Sequence, residues 1–274
     1  MNIEGWKYYN HATIPSCPPH EMPDLRPIQD GSIWKLDGYP FLAQWTTDWD
    51  CGYETNWWYV IKDTPFDSNA LKAKRRYEIT KGRRNFDIKI IAPENYIEDI
   101  YSVTVAAYSG WPSKYRPKIE QGTIEKSVKN WKTVFAAFYD EKILQGYAVV
   151  DEHDVYANFL ILRTNPNMEK LGVNAALVNG ILEYYNHKLK TDFFYICDGS
   201  RSIKHETAFQ DYLEKYFGFR KAYCKLHIKY RRCVGIVMQL LYPFRKLLQG
   251  KTQLTSNLKA ILKMEELKNE YHFS

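Results

Sequence analysis

Residues 156–190 read YANFLILRTNPNMEKLGVNAALVNGILEYYNHKLK and hold the arrangement in this chain best suited to an anion. Residues 157–162 are apolar and short enough for a buried strand. Thr164, Asn165, Pro166 and Asn167 are turn formers. A helical period then begins, with Leu171, Val178, Ile181, Leu182, Tyr185 and Leu189 on one face. Gly172, Asn174 and Ala175 give its first turn small or short side chains. The N–H groups of a helix start lack partners inside the helix and carry partial positive charge. A thinly covered helix start therefore suits a phosphate or pyrophosphate. The same residues also read as an ordinary strand, turn and helix in which Gly172 only allows close packing.

A second charged feature precedes it. Residues 68–84 read SNALKAKRRYEITKGRR, and seven of the thirteen residues in 72–84 are Lys or Arg, with Glu78 the sole acid. Ser68 or Asn69 can cap a short helix that stops near Gly82. Such a run is either a solvated face or a phosphate contact, because guanidinium forks match phosphate oxygens. His11, Cys17 and His20 superficially suggest a metal, but they lack a nearby fourth ligand and a zinc spacing, so no metal is expected.

These groups need a scaffold. The chain has 274 residues, 45% hydrophobic and 26% charged, which is folded globular composition with ample core material. Aromatics reach 16%, which suits either an aromatic-lined pocket or a Tyr-rich core. The formal charge of +6 permits a phosphate-bearing ligand, a nucleic acid or an anionic surface and selects none. Five cysteines without a CxxC pair, and an N-terminus unlike a signal peptide, read as free thiols in a cytoplasm. No apolar run approaches the ~20 residues of a membrane span.

Along the chain, 33–36, 41–45 and 57–61 read as short strands in a Trp-rich N-terminal stretch. From Phe86 a regular order emerges. Strand 86–91 is followed by a helix opening at Pro93 and Glu94, a second helix over 118–131, and strands 133–139, 143–150 and 157–162. The central helix follows, then strand 192–197, a loop at 198–200, helix 205–217 ending at Gly218, and strand 222–229. Beyond Tyr230, Arg231 and Arg232 precede the apolar CVGIVMQLLYPF, and Arg245 and Lys246 follow it. That segment reads as a buried helix or as one lying on an anionic membrane surface, a peripheral contact through 231–250. Residues 255–271 form an amphipathic tail helix. Three segments result: an N-terminal module with the basic helix (1–85), a core (86–230) and a helical tail (231–274).

The element order from Phe86, with a phosphate-ready helix after its fourth strand, resembles the GNAT acyltransferase superfamily over 86–229. The family's Gln/Arg-x-x-Gly-x-Gly/Ala signature falls on EKLGVN at 169–174, which keeps Gly172. LEKYFG at 213–218, with the Trp57-Trp58 module and the basic helix, is similar to the FemAB-like branch, whose donors are aminoacyl-tRNAs. The resemblance implies an α/β (α+β) fold: a mixed, mostly antiparallel sheet flanked by helices, with a β-rich N-terminal extension and a C-terminal helical tail. It implies acyl transfer from acetyl-CoA or another acyl-CoA to an amine or hydroxyl, with an amino sugar or glycan precursor as acceptor. Backbone amides around Leu162 and Arg163 on the fourth strand would receive the acyl carbonyl. The amides of Leu171, Gly172, Val173, Asn174 and Ala175, with Lys170, would hold the pyrophosphate. Asp198 at the end of the fifth strand, His205 at the next helix start and Tyr212 within that helix are candidates for the proton route. The alternatives are an accessory protein that kept the fold and lost the donor site, and an aminoacyl-tRNA-dependent transferase. No nucleic acid other than tRNA is expected, and the place expected is the cytoplasm, including the inner face of its membrane.

Overall fold

The apolar runs at 133–150 build the centre of the fold. The computed structural model describes residues 1–111, 116–191, 193–203, 208–247, 253–269 and 271. In chain order the elements are β1 (Trp6–Tyr9), β2 (Ala12–Pro15), α1 (Arg26–Gln29), β3 (Leu42–Thr47), β4 (Trp57–Lys62), α2 (Ala73–Asn85), β5 (Phe86–Ile91), α3 (Ile97–Ser109) and α4 (Gln121–Val128). They continue with β6 (Thr133–Tyr139), β7 (Ile143–Glu152), β8 (Tyr156–Thr164), α5 (Val173–Tyr185), β9 (Tyr195–Ser200), α6 (Ala208–Phe217), β10 (Arg220–Tyr230), α7 (Arg232–Leu241) and α8 (Gln253–Leu267). Two compact units form: Met1–Tyr59 with Ser200–Thr207 and Lys221–Ser274, and Val60–Gly199 with Ala208–Arg220.

The second unit carries the GNAT-like order. β5, β6, β7 and β8 pair antiparallel in sequence, and β9 joins β8 in parallel. Strands covered on both faces read as continuous apolar runs rather than alternating ones, and Leu144 to Val150 of β7 is buried throughout. On one face α3 and α4 set Ile100, Val103, Ile124 and Val128 against Val134, Phe138, Tyr147 and Val149. On the other, α5 buries Val173, Ala176, Leu177, Val178, Ile181 and Leu182. α2 also lies in this unit, crossing the start of α5.

In the first unit β1 pairs antiparallel with β2, β2 runs parallel to β3, and β3 pairs antiparallel with β10. Its core gathers Trp6, Ile28, Ile33, Ala43 and Trp45 in one cluster and Trp57, Cys224, Leu226 and Leu267 in another. The sequence reading requires three corrections. Residues 32–35 form a 3-10 turn rather than a strand, because Gly31 takes a left-handed φ of 80° before it and the Asp30 carboxylate accepts the Ser32 amide. The helix expected to stop at Gly82 runs on to Asn85. Residues 198–200 extend β9 rather than forming a loop.

Gly82 is needed for approach and not for a turn. A Cβ there would lie 2.6 Å from the Gly172 carbonyl oxygen and 2.9 Å from the Ala176 nitrogen. Gly122, inside α4, faces open space. Gly82→Ala therefore destabilises by about 1–3 kcal/mol through overpacking. Gly122→Ala, by contrast, stabilises by about 0.5–1 kcal/mol. Urea denaturation of the two variants checks this pair of opposite signs.

Candidate functional site

Gly172 opens α5 with a left-handed φ of 88° and no side-chain cap. The six preceding residues make a 3-10 turn, on which Glu169 and Lys170 are exposed. In a thinly covered helix start the first amides would face solvent. Here α2 passes in backbone contact with Gly172, the residue that opens the helix. A Cβ at Gly172 would meet the Cα and N of Gly82 at 3.0 Å and the Glu78 carbonyl at 3.3 Å. Gly172, Val173 and Ala175 are buried. The Asn85 side-chain amide donates to the Leu171 carbonyl at 3.1 Å, and the Thr164 hydroxyl donates to Asn174 Oδ1 at 2.9 Å. The six residues expected to hold a pyrophosphate, Lys170 to Ala175, are thus contiguous, but a helix covers the turn they form.

α2 reaches α6 as well. The Arg75 guanidinium lies 5.9 Å from the centroid of the Tyr216 ring, and Glu78 stands close enough to influence Tyr212. The helices that follow β8 and β9 are therefore both in contact with one basic helix. Its Lys72, Lys74, Arg76, Arg83 and Arg84 are exposed. Arg83 pairs with Glu183 at 3.1 Å and Arg76 donates to the Asn69 carbonyl.

β8 has one exposed flank. Its register with β7 covers Ala157 to Thr164 and skips Leu160, a bulge between Phe159 and Ile161. Its register with β9 covers only Tyr156, Ala157 and Asn158. Among the described residues, β8 past Asn158 has no strand partner on that side. The bulge also shifts the phase. Asn165 donates to the Gln145 carbonyl, so Arg163 and Ile161 share narrow pairs with β7. The backbone N–H and C=O of Leu162 consequently face the open side, and those of Arg163 face β7. The Arg163 side chain still serves this edge. It donates to the Leu162 carbonyl at 2.9 Å and to the Tyr108 hydroxyl at 2.6 Å, with its guanidinium 4.9 Å from the Tyr108 ring centroid. The Leu162 amide, beside a fixed guanidinium, is placed to stabilise a developing oxyanion.

Asp198 is partly buried in β9. Burial pushes its carboxyl up to about 7, against the opposing effect of a hydrogen bond from Gln210 of α6. That places it where a group can exchange a proton at neutral pH. Tyr212 stacks among Phe209, Tyr216 and Phe217, with ring centroids 6.1, 5.0 and 5.5 Å away. Burial first, then Tyr216 and Glu78, hold its phenol above its ordinary range, so it remains a hydrogen-bond donor. His205 lies outside the described residues. Sequence reasoning missed Gln210, Tyr108 and the bulge at Leu160. Register and cross-element contact leave no local pattern, although a glycine inside a basic helix was a visible sign of close packing at Gly82. Among the described residues no cluster of His, Cys, Asp or Glu could hold a metal ion, and no helix is long and apolar enough to cross a membrane.

No protein-family description and no curated protein matches this sequence. Solved structures do. L-PGS from Bacillus licheniformis is 12% identical and superposes with a TM-score of 0.52 over 86% of this chain and 83% of its own. The C-terminal domain (DUF2156) of a lysylphosphatidylglycerol synthetase candidate from Agrobacterium fabrum is 11% identical, with a TM-score of 0.53 over 85% and 82%. The PaiA N-acetyltransferase of Thermoplasma acidophilum, in complex with coenzyme A, aligns over 37% of this chain and 74% of its own at 17% identity and a TM-score of 0.31. The first two likenesses extend across most of the chain and show the fold: a mixed, mostly antiparallel GNAT-like arrangement flanked by helices.

The sign of the Asp198 effect is fixed by its environment. A carboxyl raised to about 7 stabilises the fold fully below its unfolded value near 4, and loses that contribution as pH rises through 7. Asp198→Asn lacks the titration. Between pH 4 and pH 8 the variant therefore gains on the wild type, by on the order of 2–4 kcal/mol. Denaturant unfolding of both proteins at the two pH values measures it.

Proposed function

We propose that this chain is an acyltransferase whose donor is an aminoacyl-tRNA engaged by α2, rather than an acyl-CoA engaged by the start of α5. The observation that carries the donor assignment is the backbone contact between Gly82 and Gly172. In this reading α2, seated against Gly172 and Ala176, leaves less room for a pyrophosphate at the start of α5. The same helix presents a dense row of Lys and Arg suited to a phosphate backbone. The open flank of β8 supports the reaction class. In this reading the ester carbonyl of the donor sits at the Leu162 amide, where the tetrahedral oxyanion is stabilised. Asp198 in its carboxylate form takes the proton from the attacking hydroxyl or amine. The 3′ hydroxyl of the tRNA leaves and takes up a proton. The shared fold with a lysylphosphatidylglycerol synthetase candidate, whose named product carries an aminoacyl ester, supports an aminoacyl donor.

A second reading keeps acetyl-CoA or another acyl-CoA as donor, with an amino sugar or glycan precursor as acceptor. The left-handed Gly172 before an uncapped helix favours it, and the same Leu162 edge and Asp198 would serve.

The two donors separate experimentally. Fluorescence titration with an aminoacyl-tRNA is expected to saturate at low salt and weaken steeply as salt rises. Charge reversal at Lys74→Glu with Arg84→Glu weakens it at least about tenfold and flattens the salt slope. Unchanged tRNA affinity in that variant, or transfer from acyl-CoA alone, would overturn the α2 assignment. Under the working donor, Asp198→Asn lowers the rate about 10²-fold or more and removes a rise in log rate that levels off near pH 7.

A further inference from the structure

α7 is apolar on two sides. Met238 is buried, and Val234 and Leu241 are half-buried on the same face. The opposite face carries Cys233, Ile236, Val237 and Leu240, and Phe244 continues the stripe into the 3-10 turn Tyr242–Leu247. Their spacing of three, four and seven residues places Ile236, Val237 and Leu240 on the same side of α7 as Cys233, and Phe244 follows in the turn beyond its end. All five are exposed, Ile236 at 60%, Leu240 at 66% and Phe244 at 58%. A run of large aliphatic side chains held in water over three turns marks a surface built to be covered.

The charge around the stripe says by what. Arg231 and Arg232 stand at the start of α7, and among the described residues neither guanidinium makes an ion pair. Arg245 stands at the far end, paired with Glu266 of α8 at 2.6 Å. Residues 231–274 hold eight Lys or Arg against three Glu. Among the described residues the stripe offers no polar side chain except Gln239 at its border. A protein partner would need a matching groove and directed hydrogen bonds, whereas a lipid surface needs apolar depth and positive charge at the headgroup level.

We propose that α7 and the turn after it form a docking surface for an anionic lipid bilayer. The helix lies in the plane of the interface, with Ile236, Val237, Leu240 and Phe244 in the acyl boundary and Arg231 and Arg232 at the phosphates. This surface lies within one unit of the chain and does not depend on the acyl-transfer reading.

Vesicle co-sedimentation of the full chain tests it without any activity assay. Phosphatidylcholine vesicles with about 30% phosphatidylglycerol should capture the protein, and pure phosphatidylcholine vesicles at least about fivefold less. Ile236→Asp with Leu240→Asp should reduce capture at least about tenfold. Arg231→Gln with Arg232→Gln should reduce it about tenfold and remove most of its salt dependence. Arg232, Ile236 and Leu240 are exposed and Arg231 is half-buried at the start of α7, so far-UV circular dichroism and the melting temperature should stay at wild-type values, which keeps loss of capture distinct from unfolding. Absence of wild-type capture would overturn the proposal. So would capture that neither pair of substitutions changes. A wild-type dimer in light scattering that Ile236→Asp with Leu240→Asp splits, with no vesicle capture, would assign the stripe to a second copy of the chain instead.

Discussion

The second unit depends on a backbone-to-backbone contact between two helices. Gly82 and Gly172 approach so closely that either Cβ would fall about 3 Å or less from main-chain atoms of the other helix. Only glycine on both sides permits this. α2 buries little else, chiefly Ile79. Its seat on α5 therefore rests on shape rather than on a broad apolar face. That seat brings a basic helix against the residue that opens α5. It also brings α2 against Tyr216 and Tyr212 of α6. The helices after β8 and β9 are thus both in contact with one cationic element.

The second constraint is the bulge at Leu160. Before it, β8 divides its edges between β7 and β9 in the usual alternation. After it the phase shifts by one residue, and the amide of Leu162 emerges on the side β9 has left. A single extra residue therefore turns an amide that has no strand partner among the described residues toward the open flank, next to a guanidinium held by Tyr108. Unpaired edge amides are costly when buried and useful when a reacting carbonyl replaces the missing strand. Asp198, raised by burial on β9 and tied to α6 through Gln210, gives the same unit a proton acceptor near neutrality. None of these features needs a motif longer than one residue.

That explains what was legible in the sequence. Strands β5 to β8 and helices α3 to α5 were readable because their apolar runs and periods are long and covered on defined faces. The bond from the Asn165 amide to Gln145 and the skipped Leu160 depend on register, which no local pattern encodes. The amides around Leu162 and Arg163 could be named because the strand's end was readable, but which of the two turns toward the open flank depends on that register. Gly82 was read as a helix stop. In context it has an ordinary helical backbone, and its cost of about 1 kcal/mol against alanine is offset by the approach it allows. β1 and β2 escaped notice because WKYY and ATIP are short and end in a turn or a proline. Asp198-Gly199-Ser200 carries turn-forming residues, yet the sheet holds it as strand.

The most direct measurement is calorimetric titration of the wild-type chain with coenzyme A and acetyl-CoA at moderate salt. With α2 seated on the first turn of α5, no saturable binding is expected below millimolar concentration. Saturable micromolar binding of either ligand would show that the chain accepts a coenzyme A donor despite α2, and would contradict the account.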